Sequence, residues 1–244
     1  MKRRNRFFVL IRFAISVVFF AALGAIGVRA SLAAGSSVSV YAEGAYTDTD
    51  LAVYVYADIP NPVVLVSMGI RVNYDSTKLS VQSMEKNEDV WYFGTPSNKF
   101  PYRDPEDTGN GVIIIGGKLD TNSPAAGVTG NRVLLGKVTF TRLDSNDPGS
   151  GPEGYFGITV GLGKGGTYAN FVDTDGNELD ENGVDFSNVI VRERGDANGD
   201  KIIDVSDILR VKSLVGATEF PVYVDCNGDE QVDVQDILCT RSKL

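Results

Sequence analysis

The sequence predicts a β-sandwich or jelly roll followed by a small α-helical unit, and three observations lead to this fold class. Within residues 38–191, several runs alternate apolar and polar residues with period two, as in strands with one buried and one wet face. Gly-rich and Asn-rich turn signals separate these runs, which is typical of a sandwich. From Gly195 onward, two acidic loops each lead into an apolar helix-like run.

The predicted strands are short and closely spaced. The clearest alternation covers residues 66–74, and a second alternating run covers residues 156–162. The other predicted strands are 38–41, 51–56, 79–82, 112–115, 138–141 and 188–191. The predicted helices are Val205–Leu214 and a second one from Val234 to the C-terminus.

The N-terminus has the three parts of a signal peptide, which we predict over residues 1–34. The basic segment MKRRNR precedes an apolar run and then the small residues of VRASLAAGSS. Cleavage is expected after Ala30 or Ala33. The alternative is an uncleaved membrane anchor, although Arg12 interrupts the apolar run. The sequence therefore predicts a protein that is secreted or at the cell surface, with membrane contact only through this segment.

Charge and composition exclude several classes of function. The formal net charge is −9, and it falls to −15 without the six basic residues of the predicted signal peptide. An acidic protein of this kind repels nucleic acid and suits cations or basic protein faces. The sequence contains no histidine, which excludes His-dependent triads and the common zinc sites.

An internal repeat supplies the oxygen atoms that could bind metal ions. Residues 196–209 read DANGDKIIDVSDIL, residues 225–238 read DCNGDEQVDVQDIL, and nine of the fourteen positions are identical. Calcium takes six to eight oxygens, which a twelve-residue EF-hand loop supplies from positions 1, 3, 5, 7, 9 and 12. One such turn is often only a solvated acidic turn. Two copies with matching donors predict two calcium sites.

The predicted calcium ligands occupy the same six positions in each loop. They are Asp196, Asn198, Asp200, the main-chain carbonyl of Ile202, Asp204 and Asp207 in the first loop, and Asp225, Asn227, Asp229, the main-chain carbonyl of Gln231, Asp233 and Asp236 in the second. Four carboxylates per loop would repel one another without a cation. Since a unit of about fifty residues has a small core, we expect calcium removal to unfold it.

Both loops depart from the general EF-hand pattern. Position 6, usually glycine, is Lys201 in one loop and Glu230 in the other, so a positive φ there would cost roughly 1 kcal/mol. Gly199 and Gly228, two residues earlier, can relieve the bend. Position 12 is aspartate instead of glutamate, and no regular helix is expected before either loop.

These departures resemble those of dockerins, the docking modules of bacterial cellulosomal proteins. The resemblance covers residues 195–244 and rests on the paired D-x-N-G-D loops, the final aspartate and the loop-helix duplication. It implies calcium-dependent binding to cohesin-bearing proteins. By resemblance, the partner-binding residues are Val205, Ser206, Lys212 and Ser213 in one repeat, and Val234, Gln235, Arg241 and Ser242 in the other. Familiar dockerins often begin this set with a hydroxyl pair, so we expect a different partner here.

The β-rich region resembles cohesins, the partners of dockerins. The resemblance is carried by VSVYAEG at 38–44, MGIRVNYDSTKLSV at 68–81, LLGKVTFT at 134–141 and DTDGNEL at 173–179. It implies a cohesin-like domain over residues 35–193 that binds dockerin-bearing proteins, joined directly to a dockerin over residues 195–244. No Pro/Ser/Thr-rich spacer separates them, so we expect close coupling. The acidic stretch from Asp173 lacks full ligand spacing and is predicted to be an exposed hairpin.

The sequence therefore predicts an assembly adaptor, not an enzyme, linked to a polysaccharide-degrading complex. One alternative is a carbohydrate-binding surface protein, because some carbohydrate-binding modules share the sandwich and aromatic residues can stack on sugars. The candidates for stacking are Trp91, Tyr92, Phe93 and Tyr102. The other alternative is an accessory of glycoside hydrolases that carries a dockerin. Glycoside hydrolysis needs two carboxylates at a fixed separation, and no such pair stands out.

Two cysteines, Cys226 and Cys239, both lie in the C-terminal unit. Export makes a disulfide chemically accessible. The sequence does not show whether the two Cβ atoms approach closely enough to form one. We expect two separate thiols and keep the disulfide as the alternative.

Overall fold

The computed structural model describes residues 37–100, 103–120, 127–144, 155–163, 170–179 and 183–244. The predicted signal peptide lies outside the described residues. Within them, fourteen strands precede two α-helices. The strands are β1 Val38–Tyr46, β2 Asp50–Ile59, β3 Leu65–Asn73, β4 Leu79–Lys86, β5 Phe93–Thr95, β6 Asn98–Phe100, β7 Glu106–Asp107, β8 Gly111–Gly117, β9 Leu119–Asp120, β10 Gly130–Arg142, β11 Thr159–Leu162, β12 Phe171–Asp173, β13 Glu178–Leu179 and β14 Val184–Glu193. The helices are α1 Val205–Leu214 and α2 Val234–Ser242.

Two sheets form the predicted sandwich. The first has the order β14-β1-β2-β10-β4, and the second has the order β13-β12-β3-β8-β7 with β11 also paired to β3. Neighbouring strands in both sheets are antiparallel, except that β14 runs parallel to β1. A small third sheet joins β6, β5 and β9. Mostly antiparallel sheets can pack one face inward and leave the other free for a second contact.

The core lies between the inner faces of the two sheets. Alternate residues of β2, such as Val53 and Val55, are fully buried there together with Ile70 of β3. The Trp91 side chain is also fully buried, and its Nε1 donates to the Leu134 carbonyl oxygen at 3.2 Å. The burial of Val53, Val55 and Ile70 follows from the period-two patterns that predict the strands.

The outer face of the first sheet is covered, although the alternation predicts that it is wet. Ala45 of β1 and Tyr54 of β2 belong to a second core that also contains Val211 of α1 and Val222. Because alanine side chains are short, Ala45 and Ala52 leave room for the C-terminal unit to approach the sheet. The chain from Ser36 to Leu244 is accordingly one compact unit.

The two helices begin where the sequence predicts. Asp204 caps α1 and Asp233 caps α2, and each forms a capping box with the aspartate three residues later. α1 has the predicted bounds, whereas α2 ends at Ser242, two residues before the C-terminus. None of the helices that the structure describes combines the length and apolar character required to cross a membrane.

One predicted strand begins later than its alternation indicates. A 3₁₀ turn occupies Tyr155–Gly157, with Phe156 in the left-handed region at φ 66°, and β11 starts only at Thr159. Phe156 is nevertheless buried in the sandwich core. The alternating pattern therefore predicts the burial correctly, while the backbone turns before it joins the sheet.

The acidic stretch after β12 forms the predicted hairpin. β12 and β13 pair antiparallel, with Phe171 opposite Leu179. The Asp173 carboxylate accepts from the backbone N–H groups of Asp175 and Asn177 at 2.9 and 2.8 Å. This carboxylate therefore closes the turn of the hairpin.

Candidate calcium sites and docking face

The first loop folds around the carboxylates of its first and last positions. Asp196 accepts from the backbone N–H groups of Gly199 and Lys201 at 2.7 and 3.2 Å. Asp207 is fully buried and accepts from the N–H groups of Asn198 and Asp204 at 3.0 and 2.8 Å. These bonds bring both ends of the loop to the N-terminus of α1.

The second loop repeats this arrangement. Asp225 accepts from the N–H groups of Gly228 and Glu230 at 2.7 and 2.9 Å. Asp236 is fully buried and accepts from the N–H of Asp233 at 2.8 Å. The two copies of the sequence repeat therefore have the same local fold.

The second loop brings three carboxylates close enough to share one cation. Oxygen atoms of Asp225, Asp229 and Asp236 all lie within 4.8 Å of one another. Calcium binds oxygen at about 2.3–2.6 Å, so oxygens on opposite sides of one ion are separated by about 5 Å. The donor set consists of hard oxygen ligands, and it fits calcium in both charge and spacing.

The ligands predicted at positions 3, 5, 7 and 9 lie on the more exposed side of each loop. They are Asn198, Asp200, Ile202 and Asp204 in the first loop, and Asn227, Asp229, Gln231 and Asp233 in the second. In the first loop, the Asn198 Oδ1 accepts from the Asp200 N–H at 2.8 Å, and the Asp200 Oδ1 accepts from the Ile202 N–H at 2.9 Å. Among the described residues, three carboxylates of the second loop form a cluster, whereas those of the first loop do not.

The aspartates at position 1 of the two loops, Asp196 and Asp225, are buried, so a nearby positive charge would stabilise their carboxylates. Burial raises the pKa of Asp196 and of Asp225 above the ordinary value for a carboxyl group. A buried carboxylate is costly unless a cation or hydrogen bonds compensate its charge. Both positions are therefore favourable places for a calcium ion.

Position 6 of both loops has the positive φ that the EF-hand bend requires. Lys201 has φ 71° and Glu230 has φ 64°. Gly199 and Gly228 share the bend, with φ 81° and 80°. The loops therefore keep the EF-hand shape at the cost of about 1 kcal/mol wherever a side chain occupies the left-handed region.

The predicted partner-binding residues lie on an exposed side of the helices. All eight are exposed: Val205, Ser206, Lys212, Ser213, Val234, Gln235, Arg241 and Ser242. The structure adds Leu209 and Leu238, one turn beyond the two valines. Val205, Leu209, Val234 and Leu238 are 61%, 61%, 60% and 56% exposed, and we call these four residues the docking face.

The two leucines of the docking face are not among the residues that the sequence pattern predicts to bind a partner. Leu209 and Leu238 end the Ile-Leu pairs of the repeat, which an amphipathic helix could equally well bury. The signal that could have identified them is their spacing of four residues from Val205 and Val234, because residues four apart share one helix face.

The two cysteines form a disulfide, so the expectation of separate thiols is wrong. Cys226 and Cys239 are bonded, with their Cα atoms 5.8 Å apart. Cys226 is the second residue of its loop, and α2 folds back to place Cys239 beside it. The corresponding residues of the first repeat are Ala197 and Arg210. The disulfide therefore ties only the second loop to its helix.

We expect denatured, unreduced protein to contain no free thiol, and the variant C226S/C239S to be less stable. The bond closes a loop of 13 residues, and a loop of this length contributes about 3 kcal/mol by restricting the unfolded chain. Thiol titration and denaturant unfolding measure the two effects. Two titratable thiols in the unreduced protein would contradict the bond.

The aromatic residues proposed for sugar stacking do not form an exposed platform in the described chain. Trp91 and Tyr92 are buried, and Phe93 is half-buried. Tyr102 lies outside the described residues. Lys118 Nζ lies 3.6 Å from the centre of the Tyr92 ring, so a cation already occupies one face of that ring.

Comparison with known families identifies the C-terminal module. Residues 194–244 match the dockerin type I domain family. This part of the chain is a dockerin type I domain, which belongs to a class of calcium-binding docking modules. No curated protein matches the chain.

The β-sandwich is similar in fold to cohesins of known structure. The sixth cohesin of Acetivibrio cellulolyticus scaffoldin B, solved with the Cel5 dockerin, is 15% identical with a TM-score of 0.42, over 65% of this chain and 99% of that chain. A cohesin module of the Clostridium perfringens family 33 glycoside hydrolase is 12% identical with a TM-score of 0.40, over 65% and 98%. The cohesin–dockerin complex Coh-OlpC–Doc435 of Clostridium thermocellum is 15% identical with a TM-score of 0.40, over 64% of this chain and 90% of that chain.

Proposed function

We propose that this protein is an exported, calcium-dependent adaptor that bridges two other proteins. Its dockerin, residues 195–244, binds a cohesin-bearing protein through the docking face. Its cohesin-like domain, residues 35–193, captures a dockerin-bearing protein. The predicted signal peptide, residues 1–34, directs the chain to the cell surface or the medium.

The exposed docking face is the observation that carries this proposal. The dockerin packs on the first sheet through other residues, among them Val211, Val222 and Val224. The four large apolar side chains of the docking face stay in contact with solvent. Large exposed apolar side chains flanked by polar residues are typical of a protein-binding surface.

Calcium would act by organising the start of each helix. Asp204 and Asp233 are predicted ligands at loop position 9, and each is also the N-cap of its helix. Val205 and Val234, the first residues of the docking face, follow them directly. We propose one ion in each loop, so that two ions fix the positions from which both helices present the docking face.

The second sheet offers the surface for a dockerin-bearing partner. The dockerin packs against the outer face of the first sheet, whereas Arg71 and Asn73 on the outer face of the second sheet are partly exposed. Arg71 Nε donates to Asn73 Oδ1, and Arg71 Nη2 donates to Asn110 Oδ1, both at 2.7 Å. A surface with side chains ordered in this way can bind a partner without a large loss of side-chain entropy.

A link to polysaccharides would act through the partners in this proposal. The buried Trp91 and Tyr92 disfavour direct sugar stacking by these residues. The proposed adaptor role therefore does not need a glycan site or catalytic residues on this chain.

Affinity capture from the source organism's secreted proteins tests the adaptor proposal. The immobilised mature chain is incubated with calcium or with a chelator, and the bound proteins are identified by mass spectrometry. We expect cohesin-bearing proteins only in the presence of calcium. The D196A/D225A variant serves as the matched bait and should lose them. Equal capture by both baits, or in chelator, would refute calcium-dependent docking.

A further inference from the structure

Three side chains hold the second calcium loop, two from neighbouring strands of the β-sandwich and one from the junction between the two domains. We infer that Tyr54, Lys137 and Arg194 are positioning residues for this loop, so that calcium binding and packing of the dockerin on the sheet strengthen each other. The inference rests on the proposed function because it concerns the same calcium site. It adds that the sandwich takes part in organising that site.

The side chain at position 6 of the second loop is held by the first sheet. Tyr54 Oη donates to Glu230 Oε1 at 3.0 Å, and Lys137 Nζ donates to the same oxygen at 2.7 Å. Tyr54 lies on β2 and Lys137 on β10, which are neighbouring strands. Because Glu230 is the residue with positive φ at the bend, these bonds hold the loop at its most strained point.

The first ligand of the same loop is held from the junction between the domains. Arg194 Nη1 donates to the Asp225 main-chain oxygen at 2.9 Å and lies 4.0 Å from an Asp225 carboxylate oxygen. The guanidinium also lies against Gly228, where a Cβ would approach Arg194 Nη1 to 2.7 Å. Positions 1, 4 and 6 of the loop thus all contact residues outside the dockerin repeats.

A buried ion pair fixes the segment that leads into this loop. Glu43 accepts two bonds from Arg132, at 2.6 and 2.8 Å, and also accepts from the Val222 N–H at 3.1 Å. Arg132 Nη2 donates to the Phe220 carbonyl oxygen at 2.6 Å. Both charged side chains come from the sandwich, and both bond the backbone just before Asp225. The second loop is therefore held by the sandwich before the loop as well as within it.

Coupling between the ion and the interface follows from these contacts. A loop already held near its binding geometry loses less conformational freedom when it takes up an ion. By reciprocity, an ion that favours this geometry must strengthen the sandwich contacts by the same free energy. This coupling modifies the expectation that calcium removal simply unfolds the unit, because the sandwich supports part of the unloaded module.

Two substitutions distinguish a positioning role of Tyr54 and Lys137 from a purely electrostatic effect on the calcium affinity of the second loop. Y54F removes one hydroxyl without changing charge. K137M removes a positive charge close to the loop, so Coulomb attraction alone would make calcium bind more tightly. If positioning dominates, both variants bind calcium more weakly, by roughly fivefold, at the lower end of the usual coupling between linked sites.

The test is a calcium titration of the full mature chain against a competing chelator. A D196A background leaves only the second loop to be measured. Y74F is the matched control for Y54F, because Tyr74 Oη donates to a carboxylate oxygen of Asp107 at 2.9 Å on the other sheet. K118M is the control for K137M, because Lys118 follows β8 of the second sheet and its Nζ lies against the Tyr92 ring. Thermal unfolding with and without calcium gives the reciprocal readout.

We expect Y54F and K137M to weaken calcium binding and to reduce the calcium-induced rise in Tm, with both controls unchanged. Wild-type affinity in Y54F, tighter binding in K137M, or equal loss in the controls would overturn the inference while leaving the proposed function intact. A wild-type chain that binds no calcium would overturn the calcium dependence of the proposed function as well, so the two failures are distinguishable.

Discussion

The D196A/D225A variant is expected to lose at least a hundredfold in affinity for a cohesin-bearing partner while its sandwich stays folded. Each substitution removes the first ligand of one loop and an acceptor for two or three backbone N–H groups. The capping boxes at Asp204 and Asp233 remain, but each loop loses the bonds and the ion ligand that fix its shape before the helix. A charge-assisted hydrogen bond is worth about 1.5–3 kcal/mol. Binding is measured by calorimetry with calcium in excess.

Trp91 reports on the sandwich during this experiment, because it is the only tryptophan and is fully buried in the core. Its emission should be unchanged in the double variant. D175A supplies the control, since it removes an acidic residue from an exposed turn outside the loops. Native affinity in D196A/D225A would show that the loops do not organise the docking face.

The L209A/L238A variant is expected to weaken the same interaction by about a hundredfold without loss of calcium binding. Burying a leucine side chain is worth about 1.5–3 kcal/mol, so each truncation should cost roughly tenfold or more. Alanine is the best helix former, so both helices should persist. Calorimetry gives the affinity, and circular dichroism gives the helix content.

L143A is the matched control for the leucine truncations, because Leu143 is 55% exposed and lies outside the dockerin. It should bind the partner with native affinity. If L209A/L238A also kept native affinity, the partner would not contact the docking face, and the polar residues around it would have to carry the interaction alone.

The features that could be predicted from the sequence are those with local determinants. The capping aspartates Asp204 and Asp233 fix the helix starts, and ligand spacing within twelve residues defines each loop. The positive φ at Lys201 and Glu230 follows from the same local geometry. Local chemistry of this kind is encoded in consecutive residues, so one sequence is enough to predict it.

The contact between the two domains could not be predicted in the same way. Glu43 and Val222 are 179 residues apart in sequence, yet they form a hydrogen bond. The alternation of β1 and β2 predicts two faces for each strand, but it does not say what covers the outer one. The disulfide was missed for a related reason, because the return of α2 to its own loop depends on how the module packs.

The junction between the domains has a consequence for the architecture of an assembly. The Arg194 N–H donates to the Tyr46 carbonyl oxygen at 2.9 Å, and the Gly195 N–H donates to the Tyr223 carbonyl oxygen at 3.0 Å. Two consecutive residues each form a backbone hydrogen bond, one to each domain, so this junction is a rigid connection and not a flexible linker. Flexible linkers let attached partners sample many separations, with an effective concentration that depends on linker length. A rigid connection would instead hold two attached proteins at one distance and one angle, so that the adaptor acts as a spacer of defined geometry.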